Sequence, residues 1–252
     1  IRDANYFRIG RNILYLSPGD SLTMTLDYRY PEKAVFAGKN TKKNEYLKFT
    51  LYPKAGSFLE AGDHIRETIG ETIKYILNVA RSREKFLDSF DIHDAGFKKM
   101  EKVRIKADVI NSLKYILFYY PYVHKLNNDS IAQFQSELEK ESTPYIRQFA
   151  KGIVNKRYLK IAVYRDILSD LKKEGNATPE ELKTLSDWEN ATAVSRKIKS
   201  STNKADTIFL TTEINRIRDP EYRKALLYTM QEANKFKNGH PAVYFVSLND
   251  RK

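Results

Sequence analysis

Apolar and polar positions alternate strictly from Ser21 to Asp27. Leu22, Met24 and Leu26 fall on one side of an extended chain, and Ser21, Thr23, Thr25 and Asp27 on the other. A period of two is that of a half-buried β-strand. The apolar run Asn12–Leu16 precedes it, and Ser17-Pro18-Gly19-Asp20 between them predicts a turn, with proline presetting φ and glycine accepting a positive value. Ala34–Lys39, closed by Gly38, predicts a third strand. Three strands are few for a sheet that stands alone, so further partners are expected upstream of Ile1.

After Gly62 the period becomes helical. Ile65, Ile69, Ile73, Ile76, Ala80 and Leu87 form one stripe. Phe97, Met100, Val103, Ala107, Ile110 and Leu117 form a second, expected to end before Pro121. A third, shorter stripe of Ile131, Phe134 and Leu138 follows the cap-like Asn128-Asp129. Thr143-Pro144 then predicts the start of a long helix with Ile146, Phe149, Ile153, Ile161, Leu168 and Leu171 inward, closed by Gly175-Asn176. Thr178-Pro179-Glu180-Glu181 reads as a capping box ahead of Leu182, Leu185 and Trp188. Ala205–Ile217 fits helix or strand, with helix favoured, and Asp219-Pro220-Glu221 caps a last helix stopped by Asn238-Gly239. The apolar run Ala242–Leu248 and the polar Asn249–Lys252 then predict a new strand and its first turn. The fold class expected is α+β, mainly α. A short antiparallel β-rich segment (residues 1–60) precedes an α-helical domain (61–238), and residues 239–252 begin something further.

Composition narrows the chemistry. The 252 residues are 41% hydrophobic, 30% charged and 12% aromatic, which describes a folded chain with a very polar surface. The net charge of +12 raises nucleic acid as a partner. Acidic residues are nevertheless interspersed almost everywhere, and the densest basic stretch, Lys98–Lys106, reads as a solvated helix face carrying Lys98, Lys102 and Lys106. No nucleic acid is therefore expected. Cysteine is absent, which removes disulfides, thiolate metal ligands and sulfur nucleophiles from these residues. His64, His93, His124 and His240 are scattered without ligand spacing, so no metal is expected. The carboxylate pairs Glu67/Glu71 and Glu137/Glu141 read as exposed charge, and no nucleotide-binding or nucleophile motif is present. No catalytic residue and no cofactor are assigned. The most suggestive surface is Tyr115–Leu126, where Tyr119, Tyr120 and Tyr122 beside Pro121 could present rings to a sugar, a peptide or a partner protein. Packing at a helix end is the favoured reading of the same cluster.

Two stretches carry a family resemblance. Gly239, Pro241, Ala242 and Phe245, with Asn249-Asp250 at the turn, resemble the entry segment of TlpA/ResA-like, thioredoxin-fold thiol–disulfide oxidoreductases, although Val243 and Tyr244 depart from the usual Pro and Asp. Tyr15–Leu47 is similar to the β-rich domain ahead of the thioredoxin domain in many such bacterial envelope proteins: Pro18–Ser21, the strand Leu22–Asp27, Phe36–Gly38 and Asn44–Leu47. Ile214–Leu227 looks like the helix that often precedes the entry segment.

The resemblance implies that residues 239–252 are the first strand of a thioredoxin-like domain, and that the sequence stops before a Cys-x-x-Cys beyond Lys252. The expected role is that of a non-catalytic spacer region of an envelope or periplasmic oxidoreductase, with a part in selecting its client proteins. Membrane contact would come only through an N-terminal lipid anchor outside these residues, and oligomeric state is left open. The rival reading is a surface or periplasmic lipoprotein module binding glycan or peptide.

Overall fold

The computed structural model describes residues 3–39, 41–200 and 206–237. Its contacts divide the chain into two compact units, Ile1–Ala177 and Thr178–Lys252. The stretch read as a single helical domain spans this division. The strand expected after Gly239 lies outside the described residues.

The first unit opens with two antiparallel hairpins. Strand β1 (Asn5–Ile9) pairs with β2 (Asn12–Leu16), and β3 (Leu22–Thr25) with β4 (Val35–Gly38). The sequence reading missed β1, which is half-buried along most of its length and lacks a clean alternation. Strand β2 finds its pairing partner in β1, within the described residues. Leu22, Met24 and Leu26 point inward as their alternation predicts, packing around Leu14, Ala34 and Phe36. The turn Ser17–Asp20 closes on itself, with the Asp20 N–H donating to the Ser17 carbonyl and the Ser17 N–H to Asp20 Oδ2 (3.0 and 2.7 Å). Ile13 and Tyr15 point to the opposite face of β2 and join the helices.

Helix α1 (Lys42–Leu47) locks the outer edge of β2, because the Asn44 side chain both accepts from the Tyr15 N–H (2.8 Å) and donates to its carbonyl (3.2 Å). A 3-10 turn, Ser57–Gly62, leads to α2 (Ile69–Ser89), started by a Thr68/Glu71 capping box. Helix α3 (Ala95–His124) is the centre of the unit, packed by α2, by the 3-10 turn and by α4 (Asn128–Ala150).

Two helix boundaries differ from expectation. Pro121 lies inside α3, which runs on to His124 and ends at Lys125 in the left-handed region (φ 51°). Tyr120 before the proline and His124 after it are held by the Glu67 and Arg66 carbonyls, and this anchoring outweighs one missing N–H. Pro144 likewise lies inside α4. Phe134, Leu138, Tyr145 and Phe149 pack on one core, so a continuous apolar stripe carries the helix through the proline. The break comes at Gly152 (φ 74°), after which a 3-10 turn at Lys156–Lys160, α5 (Ala162–Asp166) and α6 (Leu168–Glu174) complete the unit.

The second unit contains α7 (Pro179–Ser200), α8 (Asp206–Arg216) and α9 (Pro220–Lys237). The capping box at Thr178–Glu181 is present: the Glu181 N–H donates to Thr178 Oγ1 (3.2 Å) and the Thr178 N–H to Glu181 Oε2 (2.8 Å). Ala191, Val194, Ile198, Leu210, Ile214, Ile217, Leu226 and Ala233 form its core. Buried Asp187 of α7 accepts the N–H groups of Arg218 and Asp219 (2.9 and 2.6 Å), which fixes the corner before α9.

Candidate functional site

Helix α3 is buried over much of its length, and Glu101, Arg104, Asp108, Asn111 and Ser112 are buried with its apolar residues along one polar stripe. Their spacing of three and four places them on successive turns of a single face. Buried charges persist only when paired and hydrogen-bonded, and here most of them are. The Arg104 guanidinium holds Glu101 through Nε (3.0 and 3.1 Å to the two oxygens) and through Nη2. It also donates to the Thr50 carbonyl (3.2 Å) and hydroxyl (2.6 Å). Tyr6 of β1 donates its hydroxyl to Glu101 Oε1 (2.6 Å). Burial, with the Glu101 carboxylate beside it, pushes the Tyr6 hydroxyl far above the usual tyrosine range. Burial opposes the charge on Arg104, but Glu101, with Tyr46 and Asp108, together offset it and raise its pKa. The arrangement fastens the first hairpin to the helices.

Farther along the stripe the pairing is less complete. Asp108 meets Arg83 of α2 at 3.3 Å through Oδ2, while Oδ1 has no partner, and neither has the buried Tyr46 hydroxyl. Burial raises the Asp108 carboxyl despite Arg83 and Arg104. Asn111 and Ser112 hold the 3-10 turn: Ser57 Oγ donates to Asn111 Oδ1 (3.0 Å), the Phe58 N–H to Ser112 Oγ (3.0 Å), and Ser112 Oγ to the Gly56 carbonyl (3.2 Å).

That turn is strained. Ser57 (φ 46°), Glu60 (φ 46°) and Ala61 (φ 64°) all occupy the left-handed region, where a Cβ crowds the following carbonyl. Replacing Ala61 with glycine is expected to stabilise the unit by about 1 kcal/mol, read as a higher denaturant midpoint. An unchanged or lower midpoint would mean that the turn relaxes in solution.

The tyrosines singled out in the sequence separate into different environments. Tyr119 is half-buried, stacked with Tyr115 (centroids 5.7 Å apart) and covered by the strained turn. A Cβ at Gly56 would come within 2.9 Å of the Tyr119 ring, so only glycine allows this approach. Tyr120 lies flat on Phe134 of α4 (5.1 Å, 8°) and donates its hydroxyl to the Glu67 carbonyl (2.8 Å). Burial first, then Glu137, Glu67, Glu71 and Glu141, raise its pKa, so the four carboxylates noted in the sequence surround one ring. Tyr122 alone is open, at 82% exposure. Its neighbours on the surface are Phe118 (63% exposed), four residues earlier on the same face, with Leu117 and Val123 nearby. The three tyrosines therefore form no common platform, and Tyr122 with Phe118 is the exposed aromatic face.

The basic stretch Lys98–Lys106 is mixed as well. Lys102 is exposed and meets Asp88 (3.5 Å), whereas Lys98 and Lys106 are half-buried and the intervening Glu101 and Arg104 are buried. The sequence reading missed this buried stripe. The signal was there: Glu101, Arg104, Asp108 and Asn111 recur every three or four positions among the apolar residues of α3, apart from the lysine face. His240 lies outside the described residues, and no group of three or more His, Asp or Glu among the described residues could hold a metal ion. No family model, curated protein or solved structure matches the chain.

Proposed function

We propose that this chain is the non-catalytic region of a thioredoxin-like thiol–disulfide oxidoreductase of the bacterial cell envelope, spacing the redox domain and contributing to the choice of client proteins. The observation that carries the reading is the ordered set of segments resembling that family, from Pro18–Ser21 to Gly239–Phe245. The packing is compatible with a scaffold: Glu101 and Arg104 of α3 are turned inward and bonded to one another, to Tyr6 and to Thr50, which uses them as fasteners. With no cysteine, the chain has no thiolate to attack a substrate disulfide. The purified 252 residues are accordingly expected not to accelerate insulin reduction by dithiothreitol. The gene read past Lys252 is expected to encode a Cys-x-x-Cys domain. Clear turnover by the pure chain, or a continuation without that motif, would remove the proposal.

One observation favours a second reading, a glycan- or peptide-binding surface module. Phe118 and Tyr122 present adjacent exposed rings on a helix fixed by the core, a form suited to stacking on a sugar ring or an apolar side chain. On this reading a glycan or peptide array yields a ligand whose affinity falls at least about tenfold in Tyr122→Ala and Phe118→Ala, the loss of roughly one good ring contact. Arrays without a hit, or binding indifferent to both substitutions, would leave the scaffold reading alone.

A further inference from the structure

The tips of the two hairpins meet. The turn Gly10-Arg11 closes the first hairpin, and residues 26–34 connect the strands of the second. The buried Asn12 side chain donates to the Pro31 carbonyl (2.8 Å), and a Cβ on Gly10 would come within 3.2 Å of the Tyr28 ring. Tyr52 joins the same corner. Its N–H donates to the Arg11 carbonyl (2.7 Å), Arg11 Nε donates to its carbonyl (3.3 Å), and the Arg8 guanidinium carbon lies 4.4 Å from its ring centroid. Lys33 Nζ stands 4.1 Å from the centroid of the Tyr30 ring.

Four cations, Arg8, Arg11, Arg29 and Lys33, are exposed on these tips. Among the described residues none of the four has an ion-pair partner, whereas Lys42, Lys43 and Lys48 in and beside α1 meet Asp91, Asp94 and Glu45. The acids of the connection are Asp27 and Glu32, and Asp27 Oδ1 is turned back onto the N–H groups of Arg29 and Tyr30 (2.8 and 3.3 Å). Between the cations Tyr28 is 75% exposed and Tyr30 50%, and Val35, on the last rung of the second hairpin, is 61% exposed. The outer face that continues from Val35, with Thr23, Thr25 and Ala37, is exposed and uncharged.

We infer that the paired hairpin tips seat on a bilayer surface rich in anionic lipid, with Arg8, Arg11, Arg29 and Lys33 at the headgroups and Tyr28 and Tyr30 between them. Rings this exposed stand on a convex surface, whereas a small ligand needs a cleft that encloses it. A bilayer interface takes in protruding side chains, and tyrosine suits that depth because its ring is apolar and its hydroxyl polar. Each basic side chain close to an anionic leaflet adds its own attraction, so four cations with no carboxylate to neutralise them act together. Stacking of nucleic acid bases fits less well. One face of Tyr30 and one of Tyr52 are already covered by a cation, and Tyr28 leans on Gly10. The contact is additional to any N-terminal lipid anchor and independent of the redox reading.

Flotation of the purified 252 residues with lipid vesicles tests this. Vesicles of about one-third phosphatidylglycerol in phosphatidylcholine are expected to carry the protein, less so as salt rises from about 0.05 M to about 0.5 M, and phosphatidylcholine alone to leave it behind. Arg11→Ala with Arg29→Ala is expected to lower the partition coefficient about twentyfold. Lys74→Ala with Lys140→Ala removes the same charge from exposed positions on α2 and α4, and is expected to change it by less than about threefold. Because the chain has no cysteine, Tyr28→Cys gives a single attachment point for a polarity-sensitive dye. Its emission is expected to shift to the blue on the anionic vesicles, and that of the same dye on Tyr122→Cys to stay unchanged. No binding to the anionic vesicles, equal binding to phosphatidylcholine alone, equal losses from the two double substitutions, or a shift at position 122 in place of 28 overturns the inference. So does binding of a single-stranded oligonucleotide that Arg11→Ala with Arg29→Ala abolishes while vesicle binding persists.

Discussion

Glu101→Ala is expected to cost about 3–5 kcal/mol of unfolding free energy, the usual penalty for leaving one member of a buried ion pair uncompensated. Arg104 is 4% exposed, so its guanidinium would keep only the two bonds to Thr50. The Tyr6 hydroxyl would lose its acceptor at the same time. Tyr6→Phe, which removes one hydrogen bond and leaves the ion pair in place, should cost much less, about 1–3 kcal/mol. Urea unfolding followed by circular dichroism and by exchange of the α3 amides measures both. The sole tryptophan, Trp188, is unsuitable as a probe because it belongs to the second unit. A loss below about 1 kcal/mol for Glu101→Ala would place the pair within reach of water, where such pairs contribute little.

Phe97→Ala is the second large effect, expected at about 3–5 kcal/mol. Phe97 is fully buried between elements that are distant in sequence. Its ring stands edge-on to Tyr15 of β2 (5.0 Å) and to Tyr46 of α1 (6.0 Å), and it shares a core with Ile13, Leu47, Leu87 and Ile92. Truncation opens a cavity where hairpin, α1, α2 and α3 meet, and several aromatic partners would have to move together to fill it. The same change at exposed Tyr122 should alter stability by less than about 0.5 kcal/mol. Near-equal costs at the two positions would mean that the hairpin is not docked on the helices.

These two variants also mark what was legible in the chain. Local signals, which need only neighbouring residues, translated directly. The alternation of Leu22, Met24 and Leu26 became an inward strand face, and Thr178/Glu181 became a capping box. The favoured helix at Ala205–Ile217 is present over Asp206–Arg216. The prolines misled because their penalty is local, whereas the stripes Phe134–Phe149 and Tyr115–Tyr120 pack against distant elements whose combined burial exceeds it.

The exposed part of the aromatic site was only half visible. Sequence marked the cluster Tyr119, Tyr120 and Tyr122, but a helix sends neighbouring residues in directions about 100° apart. Which ring meets Phe134, which lies under the strained turn and which meets water depends on where α4 and residues 56–62 come to rest. The lysines of Lys98–Lys106 drew attention to charge on the surface, and the glutamate and arginine between them are the ones that matter inside.

By itself the sequence determined the mainly helical class, the N-terminal β-hairpin segment, most caps and stripes, and the impossibility of thiol chemistry within these residues. Tertiary structure alone decided that Glu101, Arg104 and Asp108 are buried, that Pro121 and Pro144 are carried within helices, and that Tyr122 stands apart from Tyr119 and Tyr120. The physical reason is one of range. Periodicity, capping and turn chemistry are written over a few residues, whereas burial and charge pairing depend on partners such as Tyr6, Thr50 and Arg83, which only the packed chain brings together.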